Sequence, residues 1–128
     1  MSQLLSWAAR IIAALIMAQT LFFKFTAAEE SVKIFTTIGM EPWGRIGIGV
    51  LELVAAVLLL IGSTVWLGAA LGAGLMAGAI FMHLTMLGIE VENDGGYLFM
   101  LALAVLVCCC YLLFVNRSKI LATLGVHR

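Results

Sequence analysis

Charge is scarce in this chain. Of its 128 residues 11% are Asp, Glu, Lys or Arg against 64% that are hydrophobic, and the mean hydropathy is +1.18. Soluble domains carry about 25% charged residues. A chain of this length cannot hide so much apolar surface from water, so an integral membrane protein with little mass outside the bilayer is expected. Seven basic residues balance seven acidic ones. No basic stripe of the kind that neutralises phosphates is present, which argues against nucleic acid as a partner.

Cysteine occurs only as the run Cys108-Cys109-Cys110. Adjacent cysteines rarely bridge each other and there is no fourth to bridge to, so no intrachain disulfide is expected and no CxxC redox pair exists. The three read as small apolar helix residues; reversible acylation near a membrane face is the less favoured alternative. Histidine is equally sparse, with His83 and His127 at opposite ends of the expected topology, so no metal site is expected. A haem held by His83 and a methionine is the remote alternative; Met82 and Met86, which flank His83, read as core. P-loop, dinucleotide and hydrolase signatures are missing. A cleaved leader is not expected at the start, because Arg10 follows the apolar stretch 4–9 and Phe22-Phe23-Lys24-Phe25 offers no small-residue cleavage site.

What the chain has is four long apolar runs, at about residues 4–23, 45–61, 65–88 and 97–115. A spanning helix needs roughly 20 mostly apolar residues. Short connections make consecutive helices antiparallel neighbours, so the expected fold is all-α: one domain over residues 1–128, a four-transmembrane-helix bundle. Between spans one and two, Val32, Ile34, Phe35 and Ile38 interleave with Glu29, Glu30 and Lys33. That pattern predicts a short amphipathic helix at the membrane interface. Gly39 would end it, Pro42 would open span two and Trp43 would join the interfacial aromatic belt. Asp94-Gly95-Gly96 predicts a turn, with Asp94 capping span four. Gly68 with Gly72, and Gly74 with Gly78, form two small-xxx-small repeats, read as tight packing inside the bundle or as a homo-oligomer contact.

The tail carries Arg117, Lys119 and Arg128 without an acid, and the loop before span four carries Glu90, Glu92 and Asp94 without a base. Positive-inside logic then predicts both termini in the cytoplasm and the first and third loops outside; the membrane expected is a bacterial inner (plasma) membrane. Arg10 would snorkel toward the inner face.

Ionisable groups inside hydrocarbon are costly and tend to mark sites. Glu52 lies in span two and His83 in span three. At about 1.5 Å per residue, Gln19 lies about 7 Å, Glu52 about 10 Å and His83 about 7 Å below the outer edge. Lys24 and Arg45 sit just above them. Three spans thus bring polar groups to one level. A carboxylate beside an imidazole can fix its tautomer, hold or pass a proton, or present a ring nitrogen to a ligand oxygen. Gln19 adds a donor and an acceptor, and Lys24 adds positive potential. Glu52, His83, Gln19 and Lys24 are therefore the ligand-binding or proton-exchanging candidates, with Arg45, Thr85 and Asp94 in support. The competing reading is that Glu52, His83 and Gln19 only bond each other and fix helix register.

These residues carry a resemblance. The pattern Gln19-xx-Phe22-Phe23-Lys24-Phe25, then Gly39-xx-Pro42, Glu52-Leu53, His83-Leu84-Thr85 with Leu87-Gly88, and Asp94-Gly95-Gly96 resembles the DoxX family of small four-helix membrane proteins, over about residues 7–115. The resemblance implies the four-helix fold. The family's name comes from a membrane subunit associated with a thiosulfate:quinone oxidoreductase, and other relatives resemble accessory components of oxidative-stress complexes. The first functional expectation is therefore a redox-linked subunit, at most part of a membrane oxidoreductase. It would have no covalently bound cofactor, a quinone at the polar level and a protein partner to deliver electrons. A non-catalytic accessory or assembly protein of a membrane complex is the second expectation, and a small-solute transporter the third.

Overall fold

The structure is a computed structural model that describes residues 3–90 and 95–125. Its regular elements are all helices among the described residues. Four of them, α1 (Gln3–Phe25), α3 (Trp43–Leu60), α4 (Val65–Met82) and α5 (Tyr97–Val115), form the bundle. The short α2 (Glu29–Thr37) lies across one end, and α6 (Arg117–Thr123) follows α5 at the other. Around the bundle α1 packs on α3, α3 on α4, α4 on α5 and α5 back on α1, while α2 touches α1, α3 and the end of the third span. The four long helices are each apolar enough to cross a membrane. The short helix α6 is not anticipated by the hydropathy pattern; Asn116 marks the break, its Nδ2 donating to the carbonyl of Leu112 at 2.7 Å.

The core is built from small side chains. Ala13, Ala55, Ala69, Val105 and Cys109 are fully enclosed, with Met17, Leu59 and Leu112 filling the larger gaps. All three cysteines are free thiols. Large apolar residues instead point outward on every span, among them Leu15, Phe22, Leu53, Phe81 and Val107. Such a belt could not face water, but lipid is as apolar as leucine, and close helix contact in lipid comes from small residues. The chain is thus an integral membrane protein whose outer surface meets the bilayer.

The turns follow their local chemistry. After α2, Gly39 takes the left-handed region at φ +77°. Its N–H reaches the Thr36 carbonyl and the N–H of Met40 reaches that of Phe35. This is the paired helix-ending motif that glycine permits. Between α3 and α4 a tight 3-10 turn, Gly62–Thr64, reverses the chain. Thr64 Oγ1 donates to the Leu58 carbonyl at 2.9 Å, a second bond to an acceptor at the end of α3 that also receives the Ile61 N–H.

The two glycine repeats behave differently. A Cβ on Gly68 would lie 2.7 Å from Leu59 N and 2.9 Å from Ala55 O, so α4 rests on the backbone of α3 there. A Cβ on Gly72 would lie 2.8 Å from Cys109 Sγ. A Cβ on Gly74 or Gly78 would meet no neighbouring element within 4 Å. The expectation of tight bundle packing holds for the first repeat and fails for the second, because those two glycines sit on an outward flank of α4.

Arg10 also departs from expectation. It does not extend to the inner face; it is 5% exposed, with Nε donating to the Leu59 carbonyl at 2.6 Å and the guanidinium 3.6 Å from the Trp7 ring centroid. It ties α1 to the end of α3, and the carbonyl together with the indole face stabilises its charge.

Candidate functional site

At the α2 end the helices enclose a cavity of about 430 Å³. Its walls are largely apolar, from residues such as Met17, Met76, Leu101 and Val105. Helix α2 roofs it with Ser31, Ile34 and Phe35, joined by Ile38 just past its end. The amphipathic face read from the sequence therefore covers the bundle's own cavity. Gln19, Lys24, Glu52 and His83, the four main candidates, all line this one space. The agreement in depth predicted from the helical rise brings them to a common wall.

Lys24 and Glu52 form an ion pair, Nζ to Oε1 at 2.9 Å, with side chains 15% and 4% exposed. Lys24 stands in the last turn of α1, where the helix dipole favours a cation. Glu52 faces inward from the middle of α3, one turn before Ala55 and Ala56 in the core stripe. A buried carboxylate needs a partner, and lysine from the neighbouring helix supplies it.

His83 does not take that role with Glu52. Its Nδ1 lies 2.9 Å from the Gly88 carbonyl, and its ring meets Phe99 edge to face at 5.5 Å. The cause is local. The third span does not end as an α-helix but widens into a π-helical turn, His83–Leu87, which Gly88 closes at φ +82°. Such turns recur at functional sites. A carbonyl can only accept, so Nδ1 carries the proton and donates. Nε2 is then the ring nitrogen without a protein partner among the described residues, on a side chain 6% exposed in the cavity wall.

Gln19 Nε2 and the Tyr97 hydroxyl are 3.5 Å apart, a long contact across the seam between α1 and α5. Sequence reasoning missed Tyr97. Its signal is present: a phenol at the first position of span four, at the outer edge just above the level of Gln19. Ser31 and Glu30, which line the cavity from α2, are missed too, because the amphipathic pattern points to the membrane interface.

The supporting candidates fare differently. Arg45 is buried but is not part of the cavity lining. Its Nε and Nη2 hold Glu41 at 2.9 and 3.0 Å, and its Nη1 donates to the Lys24 carbonyl. It clasps the end of α1 to the start of α3 and so positions Lys24. Glu41 and Arg45 are four residues apart, a spacing that pairs side chains on a helix, and this is the signal that could have found the clasp. Arg45→Lys is expected to lower the unfolding temperature in detergent, since an ammonium cannot reproduce the planar fork; an unchanged melting curve would show the clasp to be idle. Thr85 is corrected: its Oγ1 donates to the Phe81 carbonyl at 2.7 Å and it lies exposed, away from the cavity. Asp94, as candidate and as cap, lies outside the described residues. Met82 lines the cavity and Met86 is 52% exposed, so neither is core.

Chemically, the arrangement offers an apolar chamber with one polar end. That end presents a neutral ion pair, an imidazole nitrogen, an amide and a phenol. Among the described residues no group of three His, Cys, Asp or Glu could hold a metal ion.

A bundle of four spans with lipid-facing apolar surfaces and almost no mass outside them defines a small integral membrane protein. The sequence profile of the DoxX-like family matches residues 8–110, and the chain belongs to that family. No match was found among curated proteins or among solved structures.

Proposed function

We propose that the cavity binds a quinone-type headgroup and that the protein serves as a redox-linked subunit of a membrane complex. The observation that carries this is His83, whose Nδ1 is committed to Gly88 while Nε2 has no partner among the described residues, in the wall of a mostly apolar chamber that Lys24 and Glu52 also line. Sites for small organic ligands are mostly apolar, with a few placed polar groups, and run to about 300–1,000 Å³. The donor set fits a ring bearing oxygens. Neutral His83 accepts a hydrogen bond from a ring hydroxyl at Nε2, and the protonated ring donates to a carbonyl. Tyr97 and Gln19 can each donate to the second oxygen. Lys24 and Glu52 keep the polar end neutral overall while presenting a strong local dipole.

A bound quinone supplies two-electron, two-proton redox chemistry. The chain's own groups bind it, orient it and hold a proton at His83 Nε2. A partner protein exchanges the electrons. In this reading the α2 end faces outward across a bacterial inner membrane and both termini face the cytoplasm, as Arg117 and Lys119 beyond α5 suggest.

Purified protein in lipid nanodiscs, titrated with a short-chain benzoquinone, tests the proposal. Wild type is expected to bind, and His83→Leu to bind about tenfold more weakly, the loss of one hydrogen bond worth about 1.4 kcal/mol. Equal binding by the two would return His83 to a structural role and favour the accessory-protein reading.

A further inference from the structure

The cavity continues past its polar end. Gly74 and Gly78 line it, yet both are exposed on the surface of a membrane-spanning helix, and a side chain at either would meet nothing within 4 Å. Two turns earlier on the same helix, Gly68 sits against the backbone of α3. Helix α4 is thus seated firmly near the turn that joins it to α3 and leaves space farther along. Counted from Leu87 at about 1.5 Å per residue, Gly78 lies about 14 Å and Gly74 about 20 Å along the axis. That is the depth of the hydrocarbon core, which is about 30 Å thick.

The two ends of the cavity therefore differ. At the α2 end are Lys24, Glu52 and His83, under a roof in which Ser31 and Phe35 are buried. In mid-membrane the wall is uncharged and includes two exposed residues without side chains. A ligand that fits both ends has an oxygen-bearing head and a long apolar tail.

We propose that Gly74 and Gly78 form a lateral portal through which a lipid-soluble ligand reaches the cavity from the bilayer, its head among Lys24, Glu52 and His83 and its tail leaving between the helices into lipid. This rests on the quinone-type reading and narrows its ligand class to polyprenyl quinones. Two observations carry it independently: the exposed stretch of cavity wall on α4, and at the other end of the same space the buried imidazole, whose Nε2 has no partner among the described residues.

The experiment compares a polyprenyl benzoquinone with the same head bearing a methyl group in place of the tail. Both are titrated against wild type, Gly78→Leu and Gly74→Leu in nanodiscs, with unfolding temperatures recorded for each protein. Because both positions face open space, the variants should fold as the wild type does; if one does not, the other carries the test. The expected result is a loss of about tenfold in affinity for the tailed quinone and none for the tail-less head. Equal loss for both ligands would place the leucine in the head site and overturn the portal. Binding of both ligands with no loss in either variant would also overturn it, leaving the quinone reading intact and the glycine face to a partner helix. Failure of wild type to bind either quinone would overturn that reading and this inference together.

Discussion

Lys24→Met is expected to cost about 3 kcal/mol of stability, because removing one partner of a buried ion pair leaves the other charge uncompensated. Glu52 has a side chain only 4% exposed and takes its charge partner from Lys24 at 2.9 Å. Without the ammonium it must shed its charge by binding a proton, draw water into an apolar chamber, or strain α3 to escape. Replacing both members with apolar residues removes the problem at its source. The double variant Lys24→Met with Glu52→Leu should therefore recover most of the lost stability, as buried pairs exchanged for packed hydrophobes commonly do. Thermal unfolding of the single and double variants in one detergent checks this. A double variant no more stable than Lys24→Met would show that the pair's cost lies in packing and not in charge. Under the proposed function the same double variant should stay folded and bind quinone poorly, which separates the site from the scaffold.

The second large effect is expected at Gly68. A Cβ there would stand 2.7 Å from Leu59 N and 2.9 Å from Ala55 O, which are backbone atoms and cannot swing aside. Overpacking typically costs about 1–3 kcal/mol, and Gly68→Val should fall at or above the top of that range because α3 and α4 must separate. Gly78→Ala is the matched control. It adds one methyl group in open space, where substitutions usually fall within about 0.5 kcal/mol. Both substitutions remove a glycine from the same helix, and the propensity difference between the Val and Ala they introduce, under about 0.7 kcal/mol, is smaller than the expected gap. Similar unfolding temperatures for the two variants would mean that the contact between α3 and α4 is looser than the backbone geometry implies.

Much of the architecture is legible in the amino-acid sequence. The apolar runs at about 4–23, 45–61, 65–88 and 97–115 correspond to α1, α3, α4 with its π-helical extension, and α5, within two residues at each end. Helix α2 is legible from the spacing of Ile34, Phe35 and Ile38, and its stop from Gly39. That Gln19, Lys24, Glu52 and His83 share a level follows from counting along rigid helices of known rise. The pairings do not follow. The widened turn at His83–Leu87 rotates the end of the third span and hands the imidazole to Gly88. Glu52 then meets lysine rather than histidine. Thr85, two residues beyond His83, faces away for the same reason. Arg45 lies near the site at the expected depth, but its fork closes on Glu41, four residues earlier.

Hydropathy, glycine stops and helical rise are properties of the chain read locally, and they add along it without regard to what lies beside each residue. By themselves they determined that this is a membrane protein, how many times it spans, where α2 ends, and that its polar residues share a level. The tertiary structure decided which neighbours those residues meet, that α2 roofs a cavity, and that Gly68 is a contact while Gly78 is open space. Those outcomes depend on how each helix is rotated about its axis and how far it stands from its neighbour. Rotation and distance are set by side chains far apart in sequence packing together, such as Cys109 against Gly72 and Arg10 against Leu59, and no window along the chain contains both partners.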